Sequence, residues 1–141
     1  MFTFETSVRV RYAETDQMGY VYYGNYSMYY EVARTDALRS LGLTYKELEA
    51  QGVMLPVLQL NCKYIRPGKY DDLLRIRVVM QEMPTKRIKF DYEVFREDDT
   101  LINIGSTTLV FVDMKTAKPT EAPDHVKELF MPFFEKAESP E

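Results

Sequence analysis

One histidine, one cysteine and no tryptophan stand among 141 residues, and these scarcities remove whole classes of chemistry. A single cysteine, Cys62, rules out an intrachain disulfide and any zinc cage built from several thiolates. The lone histidine, His125, sits beside Asp124 near the chain end, which leaves a Ser-His-Asp triad little to stand on. No phosphate-cradling glycine loop and no dinucleotide fingerprint occurs. The stretch "NIGSTT" lacks the second glycine of a nucleophile elbow and falls within a strand pattern, so Ser106 reads as structural. No spacing of carboxylates marks a metal site, and no cofactor is implied.

A large excess of charge of either sign is also missing. Lys and Arg number 18 against 22 Asp and Glu, a net charge of −4, so no overall field draws the chain to nucleic acid or to an anionic membrane. No run approaches the roughly 18 apolar residues needed to span a bilayer. The start "MFTFETSVRV" has no basic segment ahead of an apolar one. A cytoplasmic protein that is neither exported nor inserted in a membrane is the expectation. What remains is ordinary globular composition, 45% hydrophobic and 28% charged, in one domain spanning residues 1–141. A chain of this length buries about two-thirds of its unfolded surface. Only the short acidic tail after Ala137 argues for disorder.

Residues 2 to 12 alternate, with Phe2, Phe4, Thr6, Val8, Val10 and Tyr12 on one side, and this period of two predicts a half-buried strand. The pattern breaks at "AETDQMG", where Asp16 and Gly19 suit a sharp turn. From about Asn25 to Leu41 the period becomes helical, placing Tyr26, Tyr29, Tyr30, Ala33, Ala37 and Leu41 on one face. Gly24 and Asn25 suit the start of this helix and Gly42 its end. A short second helix follows in "TYKELEAQG", capped by Thr44 and stopped by Gly52. Met54 to Tyr64 then reads as a strand made irregular by Pro56.

After the turn "YIRPGKYDD" come a row of Leu74, Ile76, Val78 and Met80 and a row of Ile88, Phe90, Tyr92 and Val94. A polar hairpin at Glu97, Asp98 and Asp99 leads to a last long strand marked by Ile102, Ile104, Val110 and Val112. Residues 124 to 136 suggest a terminal helix that Pro132 would interrupt. A five-stranded antiparallel sheet with one face on the long helix, an α+β arrangement, satisfies both periodicities.

The chemistry that survives these exclusions is a carboxylate ahead of a helix start. Unpaired amides and the positive dipole end at a helix N-terminus stabilise negative charge. The amides of Tyr23 and Gly24 could face a carbonyl oxygen as it becomes an oxyanion, with Asp16 on the other side of that carbonyl. Such a pair can hydrolyse an activated ester without histidine or metal, and a thioester suits it because its thiolate leaves readily. An aspartate in a turn before a helix is equally a turn or capping group, and spacing does not choose between the two. Tyr26, Tyr29 and Tyr30 read as the buried stripe of the helix, whereas Tyr20, Tyr22 and Tyr23 precede it and are placed to line a pocket.

At these residues the sequence resembles the hotdog-fold acyl-CoA thioesterases of the 4-hydroxybenzoyl-CoA thioesterase type, particularly the small bacterial branch associated with the Tol–Pal system. The matching stretches are "VRVRYAETDQMGYVYYGNYSMYYEVARTDALRSLG", "YIRPGKYDDLLRIRV" and "LVFVDMKTAKPT". The resemblance implies a hotdog fold, a five-stranded antiparallel sheet wrapped around one long helix. It implies Asp16 as the catalytic carboxylate and the backbone amide around Tyr23 as the group polarising the thioester carbonyl. Many members of that branch carry histidine where this chain has Tyr23; because the amide is a backbone group, the change need not abolish catalysis. The resemblance further implies homodimers paired edge to edge, often assembled into homotetramers, with the active site at the dimer interface.

Substrate contacts are expected from Gly19, Tyr20, Tyr22 and Gly24. For the coenzyme A phosphates the first choice is Lys86 and Arg87 in "TKRIK", with Arg66 and Lys69 second. An ordinary aspartate, with a pKa of about 3.9, is a poor base near neutrality, whereas a nucleophile has no such requirement. The rival reading is a non-catalytic hotdog module that binds acyl groups or a protein partner. Asp16 and Gly19 together argue against it. A hotdog dehydratase would need a well-placed histidine, which His125 is not.

Overall fold

The computed structural model describes residues 1–134. In chain order the strands are β1 (Phe2–Arg9), β2 (Val53–Met54), β3 (Val57–Tyr64), β4 (Leu73–Met80), β5 (Arg87–Phe95), β6 (Leu101–Val110), β7 (Val112–Asp113) and β8 (Lys118–Pro119). The helices are α1 (Tyr26–Ser40), α2 (Tyr45–Ala50) and α3 (Asp124–Phe134). Five strands form one antiparallel sheet in the order β1-β4-β5-β6-β3. The sheet lays its inner face on α1, whose Tyr26, Tyr29, Tyr30, Ala33, Ala37 and Leu38 are buried.

The alternation in β4 and β5 does what a period of two should. Leu74, Ile76, Val78, Met80, Phe90 and Val94 are fully buried, each side chain contributing roughly 1.5–3 kcal/mol. The polar hairpin between β5 and β6 closes through Arg96 and Thr100, with Asp99 in the left-handed region at φ 66°. Thr44 caps α2 by accepting a hydrogen bond from the Glu47 amide at 3.1 Å.

Several boundaries differ from the sequence expectation, each for a local reason. The first strand stops at Arg9, and a 3-10 turn at Tyr12–Glu14 rotates Tyr12 outward, where it is 78% exposed. Asn25 does not cap α1 with its side chain; a second 3-10 turn, Tyr23–Asn25, feeds the helix and the Asn25 amide donates to the Glu14 carbonyl at 2.9 Å. Pro56 splits the expected Met54–Tyr64 strand into β2 and β3. β2 leaves the main sheet to join β7 and β8 in a small second sheet that the sequence did not announce.

The last long strand ends at Val110, and its inward row is Asn103, Gly105, Thr107 and Leu109, with Ile104 on the outer side. A bulge opposite Val94 and Phe95 accounts for Ile102 being buried out of phase. Pro132 does not interrupt α3, which runs through it to Phe134. The expected helix end at residue 136 and the acidic tail lie outside the described residues. Among the described residues no helix is long and apolar enough to cross a membrane.

Candidate active site

Between β1 and α1 the chain makes a compact loop whose geometry follows from short-range hydrogen bonding. Asp16 closes it: Oδ1 accepts from the amides of Met18 at 2.9 Å and Tyr20 at 3.2 Å, as an aspartate does when it imitates a backbone turn. Backbone bonds from Asp16 N to Tyr20 O at 2.7 Å and from Gly19 N to Asp16 O at 2.9 Å complete the turn. Gly19 takes φ +81°, a conformation that strains any other residue type. Oδ2 of Asp16 accepts no hydrogen bond among the described residues. One oxygen thus holds the turn and the other is left for chemistry.

Asp16 lines a cavity of about 310 Å³ together with Met18, Tyr20, Tyr23, Tyr26, Tyr64 and Arg66. Tyr23 heads the 3-10 turn that runs into α1, and the amides of Tyr23 and Gly24 donate no hydrogen bond among the described residues. These are the orphan donors expected at the head of a helical segment. The loop Ile65–Lys69 forms the opposite wall. It is docked by bonds from Ile65 N and Arg66 N to Ile102 O and from Val21 N to Gly68 O. Gly68 is required here because a Cβ would press on Val21, the Tyr26 hydroxyl and Ile102.

Two of the cavity tyrosines, Tyr26 and Tyr64, are confined to donation. Burial pushes the Tyr26 hydroxyl up to about 12, partly offset by its bond with the Gly68 backbone. Desolvation, then the hydrogen bond and charge of Cys62, raise Tyr64 to about 12. Both line the cavity as neutral hydroxyls at physiological pH, able to donate but not to act as bases.

The sequence-expected residues divide. Asp16, Tyr20 and Tyr23 meet in the cavity, and Gly19 and Gly24 shape its turns. Tyr22 lies outside the lining, with its ring 4.7 Å from that of Tyr23. Lys86 and Arg87 are not brought to this cavity within one subunit. Arg87 pairs with Val110 at one end of β6, whereas Tyr64 pairs with Asn103 at the other, about 23 Å away at 3.3 Å per residue. The cation on the cavity wall is Arg66, the second choice.

A family model described as the thioesterase-like superfamily matches residues 10–130, from just after the first strand into the last helix. The chain belongs to the thioesterase-like superfamily. Its antiparallel sheet wrapped on one long helix is the hotdog fold of that superfamily. The chain is similar to the acyl-CoA thioester hydrolase YbgC of Escherichia coli O6:H1, with 32% identity over 123 residues, 87% of this chain and 92% of that one. It is 33% identical to the acyl-CoA thioesterase YbgC of Haemophilus influenzae over 128 residues, 90% and 93% of the two chains. The structure of a DHNA-CoA thioesterase from Staphylococcus aureus superposes with a TM-score of 0.82 at 34% identity, covering 95% of this chain and 85% of that one.

Sequence reasoning missed one residue that braces the loop around this cavity. Glu14 is 6% exposed. Its Oε1 accepts from the Arg11 amide at 3.0 Å and the Tyr29 hydroxyl at 2.8 Å. Its Oε2 accepts from the Arg11 guanidinium at 2.8 Å and 2.7 Å. The three-residue spacing from Arg11 was the available signal, an acid reaching back to the start of a helical turn. Among the described residues no three of His, Cys, Asp and Glu gather closely enough to hold a metal ion.

Burial alone would raise the Glu14 carboxyl. The Arg11 amide, the Tyr29 hydroxyl and the Arg11 guanidinium outweigh it and hold the group below its ordinary 4.5. A lowered folded value means stability that is complete above the unfolded value and is lost as pH falls through the folded one. The melting temperatures of wild type and Glu14→Gln are therefore expected to differ most at neutral pH and to converge below pH 4.5. A gap that stayed constant into strong acid would show that the ionised carboxylate contributes nothing.

Proposed function

We propose that this chain is an acyl-CoA thioesterase, a single hotdog domain that hydrolyses a thioester to the free acid and CoA. The observation that carries this reading is the meeting, in one cavity, of Asp16 with Tyr23, which opens the turn whose Tyr23 and Gly24 amides donate no hydrogen bond among the described residues. The amides take up the negative charge that develops on the carbonyl oxygen, aided by the positive end of α1. Oδ2 of Asp16 either attacks the carbonyl carbon or deprotonates a water that does. The thiolate of CoA then leaves. Arg66 on the cavity wall supports a phosphate contact. The stretch from Asp16 through Gly19 to Tyr22 supports the narrower kinship with the 4-hydroxybenzoyl-CoA type and its Tol–Pal-associated branch, and a cytoplasmic setting belongs to the same reading.

Release of free thiol from short aliphatic, long aliphatic and aromatic acyl-CoAs tests the proposal. Turnover of at least one class is expected. Binding of acyl-CoA without thiol release from any class would favour the non-catalytic module instead.

The reading includes a homodimer. β3 is an edge strand of the main sheet, and Val57, Leu58, Leu60 and Tyr64 along it are 46% to 52% exposed. An apolar edge of this kind invites another strand. Antiparallel pairing of β3 with a second copy covers these residues and sets the Val57 end of one subunit against the Tyr64 end of the other. It also carries Lys86 and Arg87 of one subunit toward the Asp16 cavity of its neighbour, which restores them as phosphate contacts. Two such pairs would form the expected homotetramer.

Leu58→Asp places two carboxylates at that junction, a cost of at least about 3 kcal/mol, or roughly 100-fold in dimer affinity. Light scattering over a dilution series should show the dimer dissociating at about 100-fold higher concentration than wild type, with turnover falling in step. A fully dimeric, active variant would refute edge pairing.

A further inference from the structure

We infer that Glu14 is the positioning residue that holds the Asp16 turn and the Tyr23–Gly24 amides in register with each other. The inference rests on the reading of Asp16 given above and asks what fixes the acid relative to the amides. Asp16 and the 3-10 turn at Tyr23 lie in the one segment between β1 and α1, where a Thr15–Val21 bridge joins their backbones. Fastening that segment to the helix core requires a further tether.

Glu14 is that tether, through two different parts of one residue. Its carbonyl oxygen accepts from the Tyr22 amide at 2.8 Å and the Asn25 side-chain amide at 2.9 Å. Tyr22 and Asn25 are the residues flanking Tyr23 and Gly24, so both sides of the amide turn hang from one oxygen. Its carboxylate is clamped by Arg11 on the strand side and by Tyr29 on α1. Tyr29 is 2% exposed, and its ring packs against Tyr26 in an edge-on contact at 5.8 Å. The backbone two residues before Asp16 is thereby fastened to the rigid core of the helix that follows the Tyr23–Asn25 turn.

The chemistry of the clamp suits this role. An ionised carboxylate accepting four hydrogen bonds has little freedom to rotate, and charge-assisted bonds of this kind are about twice as strong as neutral ones. None of the contacts points Glu14 into the cavity, whose lining does not include it. It acts through Asp16 and the amide turn and not on the substrate.

The test compares Glu14→Ala, Glu14→Gln, Tyr29→Phe and Asp16→Asn in thiol release from a good acyl-CoA substrate, well below each variant's melting temperature. Glu14→Ala removes the clamp and is expected to lower kcat about 100-fold, the loss that a displacement of roughly 1 Å produces. KM should stay within about threefold, because the cavity wall that contacts substrate is untouched. Glu14→Gln keeps acceptor oxygen and should recover most of that loss. Tyr29→Phe removes a single donor and should show a smaller fall in kcat of the same kind, a readout that survives if Glu14→Ala fails to fold.

Normal kcat in folded Glu14→Ala or in Tyr29→Phe, with only the melting temperature reduced, would make Glu14 purely structural and overturn the inference. So would a kcat–pH profile whose acid limb vanished in Glu14→Ala yet persisted in Asp16→Asn, since Glu14 would then be the reacting group. Full activity of Asp16→Asn is a different failure: it would remove the site reading itself.

Discussion

Asp16→Asn should slow thiol release by about 10²- to 10⁴-fold, the range seen when a positioned proton-transfer or nucleophilic group is removed. The substitution is unusually clean here. Asparagine keeps an oxygen able to accept from the Met18 and Tyr20 amides, so the turn that Oδ1 holds can persist. What disappears is the anionic oxygen left free by that turn. The melting temperature should change by no more than an ordinary surface substitution allows, within about 0.5 kcal/mol. Because the amides of Tyr23 and Gly24 remain, some acceleration over solution should survive. Equal rates for wild type and Asp16→Asn would remove Asp16 from the mechanism and, with it, the proposed use of the cavity.

Labelled water separates the two roles open to the carboxylate. If Asp16 deprotonates water, the labelled oxygen ends in the released acid and Asp16 keeps its own. If Oδ2 attacks the thioester carbon, the thiolate leaves and a mixed anhydride forms between the acyl group and Asp16. Water attacking the aspartyl carbon of that anhydride then leaves label in Asp16 and sends an aspartate oxygen out with the product. Label in the peptide carrying Asp16 after a single turnover establishes that route, and trapping the anhydride with hydroxylamine detects it where water attacks the acyl carbon instead.

The helix and the strands β4 and β5 were legible in the sequence because their inward positions are uniformly apolar and their periods unbroken. The acid and the amide turn were legible too, since Asp16, Gly19 and the tyrosines mark a turn before a helix by local chemistry alone. Glu14 was not, because its role depends on Tyr29, fifteen positions away, and on a carbonyl group that carries no side-chain signature. The placement of Lys86 and Arg87 failed within one subunit for a related reason: strand register, not sequence distance, decides which end of the sheet a residue reaches. The small sheet of β2, β7 and β8 escaped notice because strands of two residues have no period to read.

β6 is the instructive case. Its true inward row mixes Asn103, Gly105 and Thr107 with a single leucine, so a search for apolar alternation selected Ile104 on the wrong face. The polar row is matched by tyrosine hydroxyls, that of Tyr30 from α1 at Asn103 and that of Tyr92 from β5 at Thr107. The Tyr30 hydroxyl donates to Asn103 and lies 3.3 Å from the Cys62 sulfur. Its ring stacks on Tyr92 at 4.3 Å and 4°. Burial, then the Cys62 contact, pushes the Tyr30 hydroxyl up, so it stays protonated and the bonding pattern is fixed.

Gly105→Ala is the substitution that this arrangement forbids. A Cβ on residue 105 would run into the Tyr30 ring and hydroxyl, and Tyr30 has nowhere to go because it is fully buried with hydrogen bonds on one edge and Tyr92 against its face. Relief requires α1 to lift from β6 or Tyr30 to abandon Asn103, which would leave the buried Oδ1 of Asn103 without its donor. Overpacking of this kind costs about 1–3 kcal/mol and at times more, and each kcal/mol lowers the melting temperature of a chain this long by about 3–4 °C. Gly105→Ala should therefore melt up to about 12 °C lower. Gly105→Ala combined with Tyr30→Phe should recover part of the loss, since the hydroxyl is one of the atoms in the way. Because α1 carries the amide turn at its head, kcat should fall along with stability in the single variant. A Gly105→Ala protein with wild-type melting would mean that α1 does not pack on β6 through Tyr30, and the registration of the amides over Asp16 would need another explanation.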